Sequence, residues 1–333
     1  MPALLCNRKP KTQNPKPFFG VLLLLLLVAP WGCGPAAGPI IVFCSPDSPR
    51  MRPAIAGLQE ALAAEPLEVV SAPQFGPEAA VALRRLRPRQ PRLLVVLGTP
   101  ALLQLAPLEK EVPVVFGLVA NPFFTGVAYE PQLPQDHQEN VTGIASPPPL
   151  TAALQQGASL LGPGPWGLLY DPGDGVAVEL ASRFSREAPG FGVKPLLQES
   201  SDAASDRAGL ERLLALGARV LYLPPAASAA RYAPFLLDWG ARKKVRVVSS
   251  YPEGPHHGAI LWVALDYRRL GEEVGALARR VLQGEKPARI PIVEKTPLQV
   301  EADEALIHHW SGYPPPKEKG KKGKGRKGEK GQN

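Results

Sequence analysis

Cysteine is scarce in the 333-residue chain, with Cys6, Cys33 and Cys44 alone, and so is long uninterrupted apolar sequence. Three cysteines over this length make no disulfide framework. Once Cys6 leaves with an N-terminal signal and Cys33 is modified, Cys44 stands alone in the strand-like run "IIVFCS". There it reads as a small buried residue, because nothing around it activates a thiolate. HExxH, GxSxG, paired-cysteine and complete phosphate-loop signatures are missing too, which removes the motif-bearing hydrolases, zinc enzymes and nucleotidases. His256-His257 and His308-His309 are adjacent pairs, and neighbouring side chains point apart on a strand or helix, so neither is a natural chelate. No enzyme, cofactor or metal site is expected.

The longest apolar run, "FFGVLLLLLLVAPW" from Phe18 to Trp31, contains Pro30 and falls short of the ~20 residues that span a bilayer. Arg8, Lys9, Lys11 and Lys16 precede it and Gly32-Cys33-Gly34 follow. A charged segment, an apolar segment and small residues make an export signal over 1–32, with a retained anchor as the second reading. Cys33, directly after Gly32, resembles the lipidated cysteine of bacterial lipoproteins. Pro30 stands where that signal usually has Leu, so cleavage within "GPAAG" is the competing reading. A lipid anchor at Cys33 would place the protein in the bacterial cell envelope, periplasmic, on the inner or the outer membrane.

Basic clustering on the folded part is missing as well. Of the formal net charge of +8, residues from Lys317 onward carry +6 and the signal region +4, which leaves the body at −2. A nucleic-acid partner is therefore not expected. The tail, 314–333, is Pro, Gly and Lys without apolar residues and is expected to be disordered. It either meets anionic lipid or envelope polymers or serves solubility.

What is present is alternation. The runs "PIIVFCS", "LEVVSAP", "RLLVVLGTP", "VPVVFGLVANP", "PWGLLYDP", "VKPLLQES", "ARVLYLPP", "VRVVSSYP" and "AILWVALDY" are short, nearly continuous in apolar residues and end in Gly, Pro, Asn or Asp. Strands of this kind are parallel and covered on both faces. Between them lie helical periods: Leu270, Val274, Leu277, Ala278 and Val281 form one stripe, with Arg268, Glu272, Glu273, Arg279 and Arg280 elsewhere. Two such series make two doubly wound α/β lobes. The stretch "NVTGIASPPPL" from Asn140 to Leu150 falls where one series ends and the next begins. Asn140-Val141-Thr142 has the form of a glycan acceptor, but the position marks an interlobe crossover, with Ser146 as a candidate cap for the helix that follows.

"NVTGIASPPPL", "GLLYDP", "LYLPP", "ALDYRRLGEEVGALARRVLQGEKPARIPI", "LGTPALLQ" and "PVVFGLVANP" together resemble the substrate-binding lipoproteins of ABC transporters, the family typified by tryptophan and tyrosine uptake. The resemblance runs from about Ile40 to about Ile307. It implies a periplasmic binding protein of the first structural type, with lobe 1 at 39–144 and 266–288 and lobe 2 at 145–265 and 289–313. Three crossovers are implied near Asn140 to Ser146, Val263 to Tyr267 and Pro287 to Pro297. A small-molecule ligand, an amino acid or related metabolite, and an ABC permease in the inner membrane are the implied partners. The alternative is a divergent envelope lipoprotein or ligand sensor.

Ligands of open α/β sheets bind beyond the carboxyl ends of the strands. The candidates are Ser45, Thr99 and Asn121 in the first lobe, Ser146 at the crossover, Tyr170, Asp171, Ser250 and Tyr251 in the second lobe, and Asp266 on the return. Thr99 precedes a helix whose free amides suit a carboxylate, or caps it. Asp266 receives an ammonium or caps the next helix. Tyr170 and Tyr251 stack on the ligand or pack at the rim. The chain departs from the family pattern at Pro225-Ala226-Ala227, where the family offers Thr-Asp-Asn, and at Asn121 and Tyr251, where it offers Asp. Fewer polar partners than usual are expected in the cleft.

Overall fold

The computed structural model describes residues 38–44, 50–71, 81, 84–130, 132–242, 245–252 and 257–311. The expected signal with Cys33, and the expected tail, lie outside them. Strands are numbered along the chain. One sheet takes β1 (Ile40–Cys44), β2 (Leu67–Ser71), β3 (Leu93–Leu97), β4 (Val114–Val119), β5 (Val141–Ala145) and β11 (Val293–Glu294), in the order β11-β5-β4-β3-β1-β2. The other takes β6 (Gly164–Tyr170), β7 (Val193–Glu199), β8 (Val220–Leu223), β9 (Arg246–Ser249), β10 (Leu261–Leu265) and β12 (Leu298–Ala302), in the order β12-β10-β9-β8-β6-β7. Every pairing is parallel except β10 with β12. The expected architecture of two doubly wound lobes is the one observed.

Continuous apolar strands follow from burial on both faces. Ile40, Val42 and Cys44 of β1 pack on one side with α1 (Met51–Ala61) and the long helix Tyr267–Leu282, while Ile41 and Phe43 pack on the other with α2 (Thr99–Leu105). In the second sheet Leu168 and Leu169 divide in the same way. Leu168 joins α3 (Leu150–Leu161) and α4 (Gly175–Glu187); Leu169 joins α5 (Ala203–Ala215) and α6 (Ala233–Ala241). The long helix is α7 (Tyr267–Leu282), and a short α8 (Glu304–Ser311) ends the described chain. Leu270, Val274, Leu277, Ala278 and Val281 are all buried against the first sheet, as their period requires.

The chain crosses between the sheets after β5, at Asp266 after β10, and after β11. Ala145 still pairs in the first sheet, and Val293–Glu294 adds a parallel strand beside β5. Both segments were expected in lobe 2; the third crossing comes at 295–297, after that strand and within the stretch Pro287 to Pro297 expected for it. Asn140 is drawn into the fold locally: its Nδ2 donates to Val112 O at 2.8 Å and its Oδ1 accepts from Gln138 Nε2 at 2.7 Å.

Helices α1 and α7 run side by side at close range. A Cβ at Gly57 would collide with the carbonyl of Arg268, and one at Gly271 with the carbonyl of Ala54. Backbone cannot swing aside as a side chain can. We expect Gly57→Ala and Gly271→Ala each to destabilise by about 1–3 kcal/mol, the usual scale of overpacking, read as a lower urea midpoint. Gly190, with nothing within 4 Å of an added Cβ, is the control, and Gly190→Ala should stay within about 0.5 kcal/mol.

Candidate functional site

Parallel strands bring their C-terminal ends to one edge, so the residues that follow them are grouped by topology before any side chain acts. In the first sheet that edge is shaped by β4. Its register slips between Phe116 and Val119, and Leu118 takes φ of 57°. A side chain larger than glycine accepts this conformation only where its surroundings impose it. Past the bulge, Val119 O accepts the Ser146 amide at 2.8 Å, and Asn121 Oδ1 accepts the Phe123 amide at 3.0 Å. Thr99 is the first residue of α2, preceded by Gly98 as cap, and its Oγ1 accepts from the Ala120 amide at 3.4 Å. Ser146 is buried, and its hydroxyl has no hydrogen-bond partner among the described residues. It does not cap α3, which begins after Pro149. Ser45 lies outside the described residues.

In the second lobe the candidates are tied to their neighbours. Asp171 Oδ2 receives Arg231 Nη1 at 2.6 Å, and its Oδ1 the Gly173 amide at 2.8 Å. Arg231 also reaches Asp206, at 3.1 Å. These two carboxylates raise the guanidinium pKa, Asp206 most, and Arg231 holds the Asp171 carboxyl below its ordinary range. Asp174 accepts the amides of Val176 and Ala177 as the cap of α4, and that of Ser228 at 2.9 Å. Tyr170 donates to Glu199 at 2.7 Å, which pushes its own pKa up. Ser250 is buried beside Tyr222, whose phenol pKa is raised by burial and only partly offset by the serine. Tyr251 is buried in the core cluster with Tyr232 and Leu223, and its carbonyl accepts Trp262 Nε1 at 2.8 Å. Asp266 caps α7, accepting the Arg269 amide at 3.0 Å.

A cavity of about 560 Å³ opens between the lobes beside the first and third crossings. Ala120 to Phe123, Ala128, Pro134, Ala145, Pro147, Ile292 and Glu294 line it from one side, and Glu179 and Arg183 of α4 from the other. Of the sequence candidates only Asn121 is in this wall. Arg183 is engaged by Glu187 at 2.8 Å and by Pro148 O at 3.3 Å. Burial pushes the Glu187 carboxyl up, but the bonds from Arg183 and Thr151 outweigh it and the pKa is lowered. Glu179 and Glu294 make no ion pair among the described residues. Glu179, Arg183, Ile292 and Glu294 escape the sequence reading because none follows a predicted strand, and Phe123, which does follow one, because it is apolar beside the polar Asn121; α4 residues at 179 and 183, one helical turn apart, are the available signal.

A sequence profile described as ABC transporter substrate binding protein matches residues 39–301. The chain belongs to this family. No curated protein matches it in sequence. Among solved structures, an ABC domain in complex with L-Trp from Streptococcus pneumonia is 19% identical, with a TM-score of 0.65 over 83% of this chain and 96% of that one. A ligand-free, open substrate binding protein with adhesive properties from Clostridium difficile is 17% identical, with a TM-score of 0.70 over 85% and 97%. The solute binding protein of a 5-methylthioribose transporter from Thermotoga lettingae, holding that ligand, is 14% identical, with a TM-score of 0.55 over 82% and 89%. These likenesses show the fold that this substrate-binding family member shares with them. Among its described residues no helix is long and apolar enough to cross a membrane, and no cluster of three His, Cys, Asp or Glu side chains is arranged for a metal.

The pairing of Asp171 fixes a pH dependence. With its folded pKa below the ordinary 3.8, its stabilisation is complete above that value and is lost as pH falls through the lower folded pKa. Asp171→Asn should therefore melt below the unaltered protein at pH 7, with the two converging as pH drops below about 3.8. Circular dichroism melts at falling pH check this, and a gap that does not narrow as pH drops below 3.8 contradicts it.

Proposed function

We propose that this family member is an extracytoplasmic solute-binding lipoprotein of an ABC importer, exported by its N-terminal signal, anchored through Cys33, and binding an amino acid or related small metabolite between its lobes. The observation that carries the reading is the family match across both lobes together with an interlobe cavity of about 560 Å³, within the size range of small-molecule sites. The Streptococcus and Thermotoga proteins that share the fold hold small ligands, L-Trp and 5-methylthioribose. Closure on the solute would be a population shift read by the permease, and it needs no catalytic group.

One observation favours the alternative of an envelope lipoprotein or ligand sensor. Asp171, Tyr251 and Asp266 are all engaged within the protein, and Pro225 to Ala227 offer no side-chain hydrogen bond. An importer component must still bind its solute with the cavity open to it. Thermal unfolding against amino acids, peptides, nucleosides and small aromatic acids should find a solute that stabilises by about 2.7 kcal/mol at a hundredfold excess over Kd. Pro147→Trp, which fills the cavity wall, should abolish that shift. Silence across the library favours an envelope lipoprotein that keeps the fold without a solute.

A further inference from the structure

An edge strand keeps one row of amides and carbonyls unspent, and proteins ordinarily blunt such edges. Three of the four sheet edges are protected here. β7 carries Lys194 and Pro195, β11 is two residues long, and β2 keeps three of its five residues half-buried. β12 has no such protection. All five of its residues, Leu298 to Ala302, are exposed, and neither Lys nor Pro stands among them.

The ladder with β10 decides which groups β12 leaves free. Asp266 N donates to Pro297 O at 2.8 Å and Asp303 N to Ile260 O at 3.1 Å, at the two ends of that antiparallel pairing. Bonded pairs alternate in such a ladder, so Gln299 and Glu301 turn their backbone groups to β10. Leu298, Val300 and Ala302 turn theirs outward. The side chains sort by the same period. Leu298 and Val300, 39% and 46% exposed, stand opposite the buried Leu265 and Val263 and carry the apolar face of the sheet past its last strand. Gln299 and Glu301 lie on the other face.

We propose that β12 is the docking edge for a second copy of this chain, strand against antiparallel strand about a two-fold axis at Val300. A symmetric pairing brings the same surface of each copy together, so the strand must complement itself. With the axis at Val300 it does. Val300 meets its own counterpart and Leu298 meets Ala302, so every outward N–H and C=O of the five residues is bonded and the apolar face continues across the join. On the other face each Gln299 stands opposite Glu301 of the second copy, an amide against a carboxylate. Moving the axis to Glu301 sets two carboxylates opposite each other, which is destabilising; moving it to Gln299 shortens the overlap. No residue of β12 lines the interlobe cavity, so the pairing leaves the cavity open and is independent of the solute-binding reading.

The test is the oligomeric state of the full chain, followed by sedimentation velocity across a wide range of concentration. A five-residue strand pair is small beside the interfaces of tight complexes, so a reversible dimer with Kd of about 10–100 µM is expected. Val300→Pro deletes an outward N–H and spares the bonds to β10, and Val300→Lys sets two like charges on the axis; each should weaken dimerisation roughly tenfold or more. The register has its own test. Gln299→Glu, which opposes carboxylates, should weaken the dimer by about threefold to tenfold, and Gln299→Lys, which faces Glu301, should tighten it by a similar factor. Far-UV circular dichroism and melting establish that each variant folds, and Val300→Lys carries the comparison alone if Val300→Pro does not. A chain that stays monomeric throughout overturns the docking edge. So does association indifferent to the Val300 variants, as pairing through the apolar run Phe18 to Trp31 would be. A dimer that responds at Val300 but ignores both Gln299 variants overturns the register.

Discussion

Backbone hydrogen bonds between the connecting segments are what the rest of this structure depends on. Lys295 N donates to Ala145 O at 2.9 Å, which fastens the third crossing to the end of β5; Asp266 N donates to Pro297 O at 2.8 Å, which fastens the second crossing to the third. Ser146 N to Val119 O ties the first crossing to the bulged end of β4. Each bond is modest by itself, about 1 kcal/mol net. Together they make a laterally joined strip from segments far apart in sequence. His137 Nε2 and Thr142 Oγ1 both meet Ile290 O, at 3.0 and 2.9 Å, and hold the approach to that strip from the first-lobe side.

Because the strip joins the lobes at one side, the strand ends of both sheets face a common space, and the cavity opens beside the strip itself. The two lobes treat that space differently. The second lobe satisfies Asp171, Asp206 and Asp174 internally, through Arg231 and the helix cap, and so presents a firm wall there, while Glu179 on α4 makes no ion pair among the described residues. Among the described residues the first lobe leaves more undecided: a bulge at Leu118, a hydroxyl at Ser146 with no partner, and Arg50 extended to a carbonyl. A rigid wall facing an adaptable one suits a site that must both take up and release a solute.

The fold was legible in the sequence, and for a physical reason. Strands covered on both faces must be apolar throughout, as in Ile40 to Cys44, and a helix packed on one side must repeat as Leu270, Val274, Leu277, Ala278 and Val281 do. Both patterns survive reading residue by residue. The short strand Val293–Glu294 did not stand out, since two residues carry no period and its pairing with β5 is settled by chain geometry. The site was less legible. Strand ends were found correctly, but what a side chain does there depends on partners remote in sequence. Asp171 meets Arg231 sixty residues on, and Tyr251 is buried in the core, its carbonyl held by Trp262.

The central claim is that a solute binds in the space between the lobes beside the crossings. A crystal structure of the protein grown with a solute that stabilises it tests this most directly. The account predicts density for the solute between the two sheets' C-terminal edges, in contact with both lobes and bordered by the segment from Ala120 to Phe123 and by α4. Solute bound on the outer face of a single lobe, with the interlobe space untouched, would contradict it.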